Sequence, residues 1–189
     1  MSHADPPFEV FNADGSAALL LVCDHATAII PDAYQGLGLN SETLDQHVAW
    51  DIGAADVARQ VATALDATAV LSRFSRLLID PNRAIDSPDL VVSQSDGVLI
   101  PGNQGLTAEG VQDRIAEFYG PYHDAIGAEM NRLQKRECVP AVIAIHSFTP
   151  VMHDVERPWH IGLLWNQDPR LRDALIAGFE DQSAVVIGD

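Results

Sequence analysis

The 189 residues are enough for one domain with a substantial buried core. Hydrophobic residues make up 47% and charged residues 20%, which excludes a disordered tail or a fibrous chain and fits an ordinary globular one. With 11 basic and 27 acidic residues the formal charge is −16, which argues against nucleic acid or an anionic membrane as the main partner.

Residues 1–9 are polar and Pro-rich and read as disordered, His3 included, with no basic-then-apolar order of a signal peptide. Ala17–Cys23 is a short continuous apolar run and reads as a buried strand. Ile29–Leu39 contains Pro31, Gly36 and Gly38 and reads as loop. Ser41–Leu44 looks like a helix start with Ser41 as cap, and Asp51–Leu65 has the apolar spacing of an amphipathic helix. Ala67–Leu71 and Arg76–Ile79 read as second and third strands. The segment 86–105 is rich in Ser, Asp, Gly, Pro and Asn and reads as a long excursion with a hairpin near Val98–Ile100. Thr107–Arg136 is a long helical stretch, capped by Thr107 and broken near Gly120-Pro121. Val139–Ile145 reads as a central buried strand and Trp159–Trp165 as another. Asp168-Pro169 opens a helix that runs to about Gly178, and Val185–Ile187 forms a last strand.

Strands alternating with helices predict a three-layer α/β domain, 1–189, with a mostly parallel (mixed) sheet and helices on both faces. No apolar run approaches the roughly 20 residues of a membrane helix. The two cysteines, Cys23 and Cys138, share no short metal-binding spacing and read as buried, reduced thiols. The expected setting is soluble and cytoplasmic, and a homo-oligomer is allowed. The chain stops as its last strand finishes, so further functional groups are expected beyond residue 189.

Several of these apolar runs end in polar residues capable of chemistry. In an open α/β sheet the ligand site lies outside the carboxyl ends of the strands, so such residues converge. His25 follows one run and His146 occupies the equivalent place after another. A neutral imidazole at either position can bind zinc, with Asp24 or a carbonyl orienting its second nitrogen. A hydrolytic zinc site needs a third ligand, and Asp51 is the best candidate, with a helix cap as its plainer role. Asp80-Pro81-Asn82-Arg83 presents a planar guanidinium and an amide donor, suited to gripping a carboxylate. Arg73 and Arg76 just upstream add positive charge, so an anionic small substrate is compatible with the acidic whole. Tyr119, Tyr122 and His123 share one helical stretch and read either as substrate contacts or as a core-edge aromatic cluster. Ser147 lacks the Gly-x-Ser-x-Gly elbow of a serine hydrolase, and His153 and His160 are weak candidates.

Five segments in order, Cys23–Ala26, His47–Ala54, Ser72–Arg83, Tyr119–His123 and Ile145–Phe148, together resemble the N-formylglutamate amidohydrolase family. The resemblance spans roughly residues 17–168. It implies a zinc-carboxypeptidase-like (phosphorylase/hydrolase-like) α/β fold and hydrolysis of the amide bond of a small anionic N-acyl amino acid. It makes His25 and His146 zinc ligands and gives the substrate carboxylate to Asn82 and Arg83. The zinc-peptidase pattern His-x-x-Glu is not met, because Ala28 stands where Glu would be, and Asp51 is expected to replace it. A later Glu-Ile-Arg motif that supplies a general base in the family is absent, so the base is expected beyond residue 189. Arg73 or Arg76 is expected to stabilise the oxyanion. Two rival readings are a non-catalytic carboxylate-binding domain using Arg83 and a metal-independent hydrolase using Ser147 or Cys23.

Overall fold

The structure is a computed structural model that describes residues 5–136, 139–152, 154–179 and 184–188. His3, Cys138 and His153 lie outside the described residues. The chain divides into two compact units, 1–147 and 148–189.

In the first unit the elements are β1 (Phe8–Phe11), β2 (Leu19–Cys23), α1 (Ser41–Leu44), α2 (Ala54–Leu65), β3 (Thr68–Ser72), the short β4 (Gln94–Ser95) and β5 (Val98–Leu99), α3 (Ala108–Arg114), α4 (Gly120–Gln134) and β6 (Ala141–Ala144). The second holds β7 (Val151–Met152), β8 (Val155–Glu156), β9 (Ile161–Gly162), α5 (Arg170–Phe179) and β10 (Ile187–Gly188). There β7 pairs with β8 antiparallel and β9 with β10 parallel. The predicted helix from Asp168 is present as α5, with the Asp168 carboxylate accepting from the Arg170 amide at 3.1 Å.

The main sheet has the order β1-β3-β2-β6. β3, β2 and β6 run parallel and β1 is antiparallel to β3, so the sheet is mixed, as expected. Its two faces are both covered. Leu20, Val22 and Val70 join Phe74, Phe118, Tyr122 and Leu133 in one apolar layer on the α4 side. Leu21, Cys23, Ala69 and Leu71 pack against Ala54, Ala55, Ala58 and Ala62 of α2 on the other. The four small α2 residues let that helix approach the sheet closely, and alternation along β2 sends neighbouring side chains to opposite layers.

Three local expectations are corrected. The α1 cap is Asn40, not Ser41; its side chain accepts from the Thr43 amide at 2.9 Å. Helix α2 starts at Ala54, after Gly53 with φ 81°, a left-handed backbone that glycine adopts without steric cost. Asp51 therefore precedes the helix, and its side chain is free for other partners. The run Arg76–Ile79 is buried but is not a strand. It closes a turn in which the Leu78 amide donates to Ser75 O, and its carbonyls are satisfied by side chains instead of a neighbouring strand. Asn103 donates to Leu77 O at 2.9 Å and buried Arg114 donates to Leu78 O at 2.7 Å. Paired this way, an irregular segment can sit in the core.

The expected break in the long helix is real. Ile115–Tyr119 forms a π-helical turn between α3 and α4, directly before Gly120-Pro121. Proline lacks an amide hydrogen and its ring crowds the carbonyl four residues back, and a π-turn absorbs both. Thr107 caps α3 as predicted, accepting from Gly110 N at 3.1 Å. β6 is the end strand of the described sheet, not a central one, and Val142 is 46% exposed.

Candidate metal centre and active site

Because β2 and β6 are adjacent and parallel, with Val22 opposite Ala144, the residues after them emerge side by side. The rings of His25 and His146 lie 5.1 Å apart, centroid to centroid, in an edge-to-face arrangement. Asp51 joins them from the segment before α2. Its amide donates to His25 O at 2.9 Å, which fixes this segment against the end of β2. One ligand atom from each of His25, Asp51 and His146 falls within 4.8 Å of the others. His25 and Asp51 are buried, whereas His146 is exposed, so the cluster has one open side.

Three carboxylates organise the two imidazoles. Asp80 Oδ1 lies 2.7 Å from His25 Nε2. Asp51 Oδ2 lies 2.8 Å from His146 Nδ1, and its Oδ1 lies 3.4 Å from His25 Nδ1. Asp24 Oδ2 lies 3.4 Å from His146 Nε2, and Asp24 Oδ1 accepts from the Tyr122 hydroxyl at 2.7 Å. The orienting partner of His25 is thus Asp80 and not its neighbour Asp24. Burial pushes the Asp24, Asp51 and Asp80 carboxyls up, but hydrogen bonds from His146, His25 and Tyr122 outweigh it and hold all three below the usual range, Asp51 far below. Hydrogen bonds to Asp24 and then Asp51 raise His146 to about 9. His25 is also raised: burial opposes this, and Asp51 and Asp80 overcome it.

The donor set suits a divalent cation. Two nitrogens and a carboxylate oxygen are the ligand types of catalytic zinc, which keeps a further position open. With Nε2 against Asp80, His25 turns its buried Nδ1 towards Asp51 Oδ1 at 3.4 Å, a contact too poorly aligned for a hydrogen bond, and no other partner engages this atom among the described residues. An orphaned buried polar atom costs about 1–3 kcal/mol unless something binds it. Charge agrees. Asp24, Asp51 and Asp80 carry three negative charges, and Arg76 supplies one positive charge from 3.0 Å to Asp80 and 3.7 Å to Asp51. Two negative charges remain for a cation, or for two imidazole protons, to balance.

The other residues singled out in the sequence fall in three places. Arg76 and Arg83 line a small pocket of about 120 Å³ together with Leu77, Asp80, Asp89, Val92 and Ser95. Asn82 sits at the turn, where its amide donates to Asp80 Oδ1 at 2.9 Å, and no described hydrogen bond engages its side chain. Helix α4 clamps this turn from behind. Tyr119 donates to Arg83 O at 2.9 Å, and His123 Nε2 lies 3.0 Å from Pro81 O. Tyr122 is fully buried, with its hydroxyl spent on Asp24. Both residues are engaged within the protein, Tyr122 by Asp24 and His123 by the Pro81 carbonyl. Arg73 lies elsewhere, bonded through its amide to Pro7 O and close enough to Glu9 to lower that carboxyl's pKa after Arg59 does so.

Asp80 was missed as an orienting group by reading the chain alone, and Asp24, expected at His25, lies against His146 instead. The signal available was an ionisable residue directly after a fully apolar run, a place where a carboxylate must find a partner. Tyr122→Phe tests the Asp24 contact. It keeps the ring against Phe74 and His123 but removes a hydrogen bond to a charged group, and it is expected to cost about 1.5–3 kcal/mol in urea unfolding. A loss within experimental error would show that this bond contributes nothing to stability.

The sequence profile of N-formylglutamate amidohydrolases matches residues 17–189. This chain belongs to the N-formylglutamate amidohydrolase family. A gene product of Agrobacterium tumefaciens with a known crystal structure shares 38% identity with this family member, with a TM-score of 0.92 over 97% of this chain and 73% of that one. The crystal structure of N-formylglutamate amidohydrolase from Ralstonia eutropha JMP134 is similar at 21% identity, with a TM-score of 0.73 over 97% of this chain and 76% of that one. The second likeness shows the fold. Among proteins of curated function, none matches this chain. The family is one of amidohydrolases, and the α/β architecture agrees with both solved structures. Among the described residues, no helix is long and apolar enough to cross a membrane.

Proposed function

We propose that this amidohydrolase is zinc-dependent and cleaves the amide bond of a small N-acyl amino acid, of the kind the family's name describes. The observation that carries the metal is the orphaned Nδ1 of His25 beside Asp51 and His146. His25, Asp51 and His146 would hold the ion, His25 through Nδ1. When bound, zinc lowers the pKa of a coordinated water towards about 7 and polarises the amide carbonyl.

The chain's own residues do the positioning. Asp80 accepts the His25 Nε2 proton and so keeps the Nδ1 lone pair free, the usual task of a carboxylate behind a metal-bound imidazole. Arg76 is held by Asp80 and Asp51 and keeps positive charge beside the ligands. Among the described residues the Arg83 guanidinium makes two weak contacts, 3.9 Å to Asp80 and 3.5 Å to Asn82 O, which leaves it available to a substrate carboxylate. The Tyr119 and His123 clamp fixes the backbone that carries it. Water adds across the C–N bond, and the products are the acyl acid and the free amino acid.

The thiol alternative is weakened by Cys23 itself, which is fully buried and pushed up to about 12 by burial and by Asp24 and Asp51. The test is a panel of N-formyl and N-acetyl amino acids given to zinc-loaded protein. Release of formate or acetate, stopped by a chelator and restored by zinc, is expected. No turnover of any member of the panel, or turnover indifferent to the chelator, overturns the reading.

A further inference from the structure

We propose that Asp24, held by the Tyr122 hydroxyl, is the positioning residue of His146: it takes the His146 Nε2 proton and so leaves Nδ1, beside Asp51, to receive the ion. The proposal rests on the metal-centre reading above and adds to it the residue that decides how the exposed ligand binds.

Strand register brings the two residues together. Val22 stands opposite Ala144, and the Ile145 amide donates to Val22 O at 2.8 Å. Two residues on from that pair come Asp24 in one segment and His146 in the other. Neighbours in one turn thus serve different imidazoles. His25 supplies one ring, and Asp24 supplies the carboxylate against the other.

The two rings share one arrangement. His25 presents Nδ1 to Asp51 at 3.4 Å and Nε2 to Asp80 at 2.7 Å. His146 presents Nδ1 to Asp51 at 2.8 Å and Nε2 to Asp24 at 3.4 Å. Both Nδ1 atoms meet one carboxylate, and each Nε2 has a further carboxylate of its own. A neutral imidazole carries a single N–H, so a ring that binds a cation through Nδ1 donates from Nε2. Asp80 is steadied by Arg76 at 3.0 Å and by the Asn82 amide at 2.9 Å. Asp24 is buried and steadied by Tyr122 at 2.7 Å, whose fully buried ring packs against Phe74 and His123. Tyr122 takes Oδ1, and Oδ2 is the oxygen that faces His146.

His146 needs such a partner more than His25 does. His25 is enclosed, whereas His146 is exposed and follows the end strand of the described sheet. Its described side-chain contacts are Asp51, Asp24 and the ring of His25. With Nδ1 given to an ion, Asp24 is the acceptor left for the ring's N–H among the described residues.

The experiment uses the full chain at pH 7. Zinc affinity is measured by competition with a chromophoric chelator in the unaltered protein, Asp24→Asn, Tyr122→Phe and Ala62→Gly, with melting temperatures taken on the same samples. Asp24→Asn keeps the shape and removes the charge, and is expected to weaken zinc binding by at least about tenfold. Tyr122→Phe keeps the carboxylate but releases it, and a smaller loss of about threefold or more is expected. Ala62→Gly, near the end of α2 remote from Asp51, lowers the melting temperature and should leave zinc affinity unchanged. Asp24→Asn that melts lower but binds zinc as the unaltered chain does overturns the proposal, and the same result in Tyr122→Phe alone removes Tyr122 from it. Nitrogen-15 spectra of the zinc-loaded unaltered protein should show the His146 proton on Nε2. A proton on Nδ1 overturns the proposal whether or not the variants fold. An unaltered chain that binds no zinc overturns the metal-centre reading and this proposal with it, whereas the results above, obtained with zinc bound, overturn this proposal alone.

Discussion

His146→Ala and His25→Ala proteins, purified with zinc, are expected to carry less than a tenth of the zinc bound by the unaltered chain and to lose measurable hydrolysis. Each substitution removes one of three candidate ligands from a cluster whose atoms lie within 4.8 Å. The loss should exceed the roughly 10–100-fold that removing an orienting partner costs, and Asp80→Asn supplies that smaller effect for comparison. His146 is the cleaner of the two tests, because it is exposed and its replacement leaves no cavity in the core. His25 is 2% exposed, so circular dichroism must show that His25→Ala still folds before its zinc content is read. Metal analysis and turnover are measured on the same preparations. Unchanged zinc in both histidine variants would remove the metal centre from consideration.

A second expected result concerns the metal-free protein, which should lose stability between pH 6.5 and about 9. The sign follows from the imidazoles. His146 is raised to about 9 in the folded chain and His25 is raised as well, while an unfolded histidine titrates near 6.5. Protonated imidazoles therefore favour the fold fully below about 6.5, and that contribution is lost as pH rises through the folded values. One pKa unit corresponds to about 1.4 kcal/mol, and allowing for the solvent on the open side of His146 the fall amounts to roughly 1–3 kcal/mol. The lowered carboxyls of Asp24, Asp51 and Asp80 work in the opposite sense. Their contribution is present above the unfolded carboxylate value near 4 and is lost as pH drops below it. Stability of the metal-free chain should peak between about 4 and 6.5. Saturating zinc should abolish the alkaline decline, because the cation supplies the positive charge the protons had supplied, and its binding at pH 7 should release at least about one proton. Melting scans across pH with and without zinc, and calorimetry in buffers of different ionisation enthalpy, measure both. A metal-free profile that is flat above pH 6.5 would show that the imidazoles are not charged in the fold.

The parallel strands were legible because β2 is wholly apolar and β3 has an apolar centre between Thr68 and Ser72, both buried on two faces, a pattern that needs no tertiary information. Given those strands, the meeting of His25 and His146 followed from position alone. Arg76–Ile79 misled because its apolar run of three, Leu77–Ile79, looks the same whether its carbonyls pair with a strand or with side chains 26 and 36 residues away. Asp24, the neighbour of His25 in the turn after β2, gives its carboxylate to Tyr122 and His146 instead. Asp80, 55 residues distant, could be found only through the fold. Tyr122 and His123 illustrate the same limit. Their helical spacing placed them beside the site, but the hydroxyl of one was already taken by Asp24 and the ring of the other by a turn carbonyl.

The amide of Asp51 donates to the carbonyl of His25, so two of the three candidate ligands are stitched together through main chain and not only through whatever they hold. Parting their backbones means opening the junction between the end of β2 and the approach to α2. If these residues hold an ion as proposed, that junction keeps two ligands near each other whichever way their side chains turn, and backbone substitutions there are expected to shorten the ion's residence time.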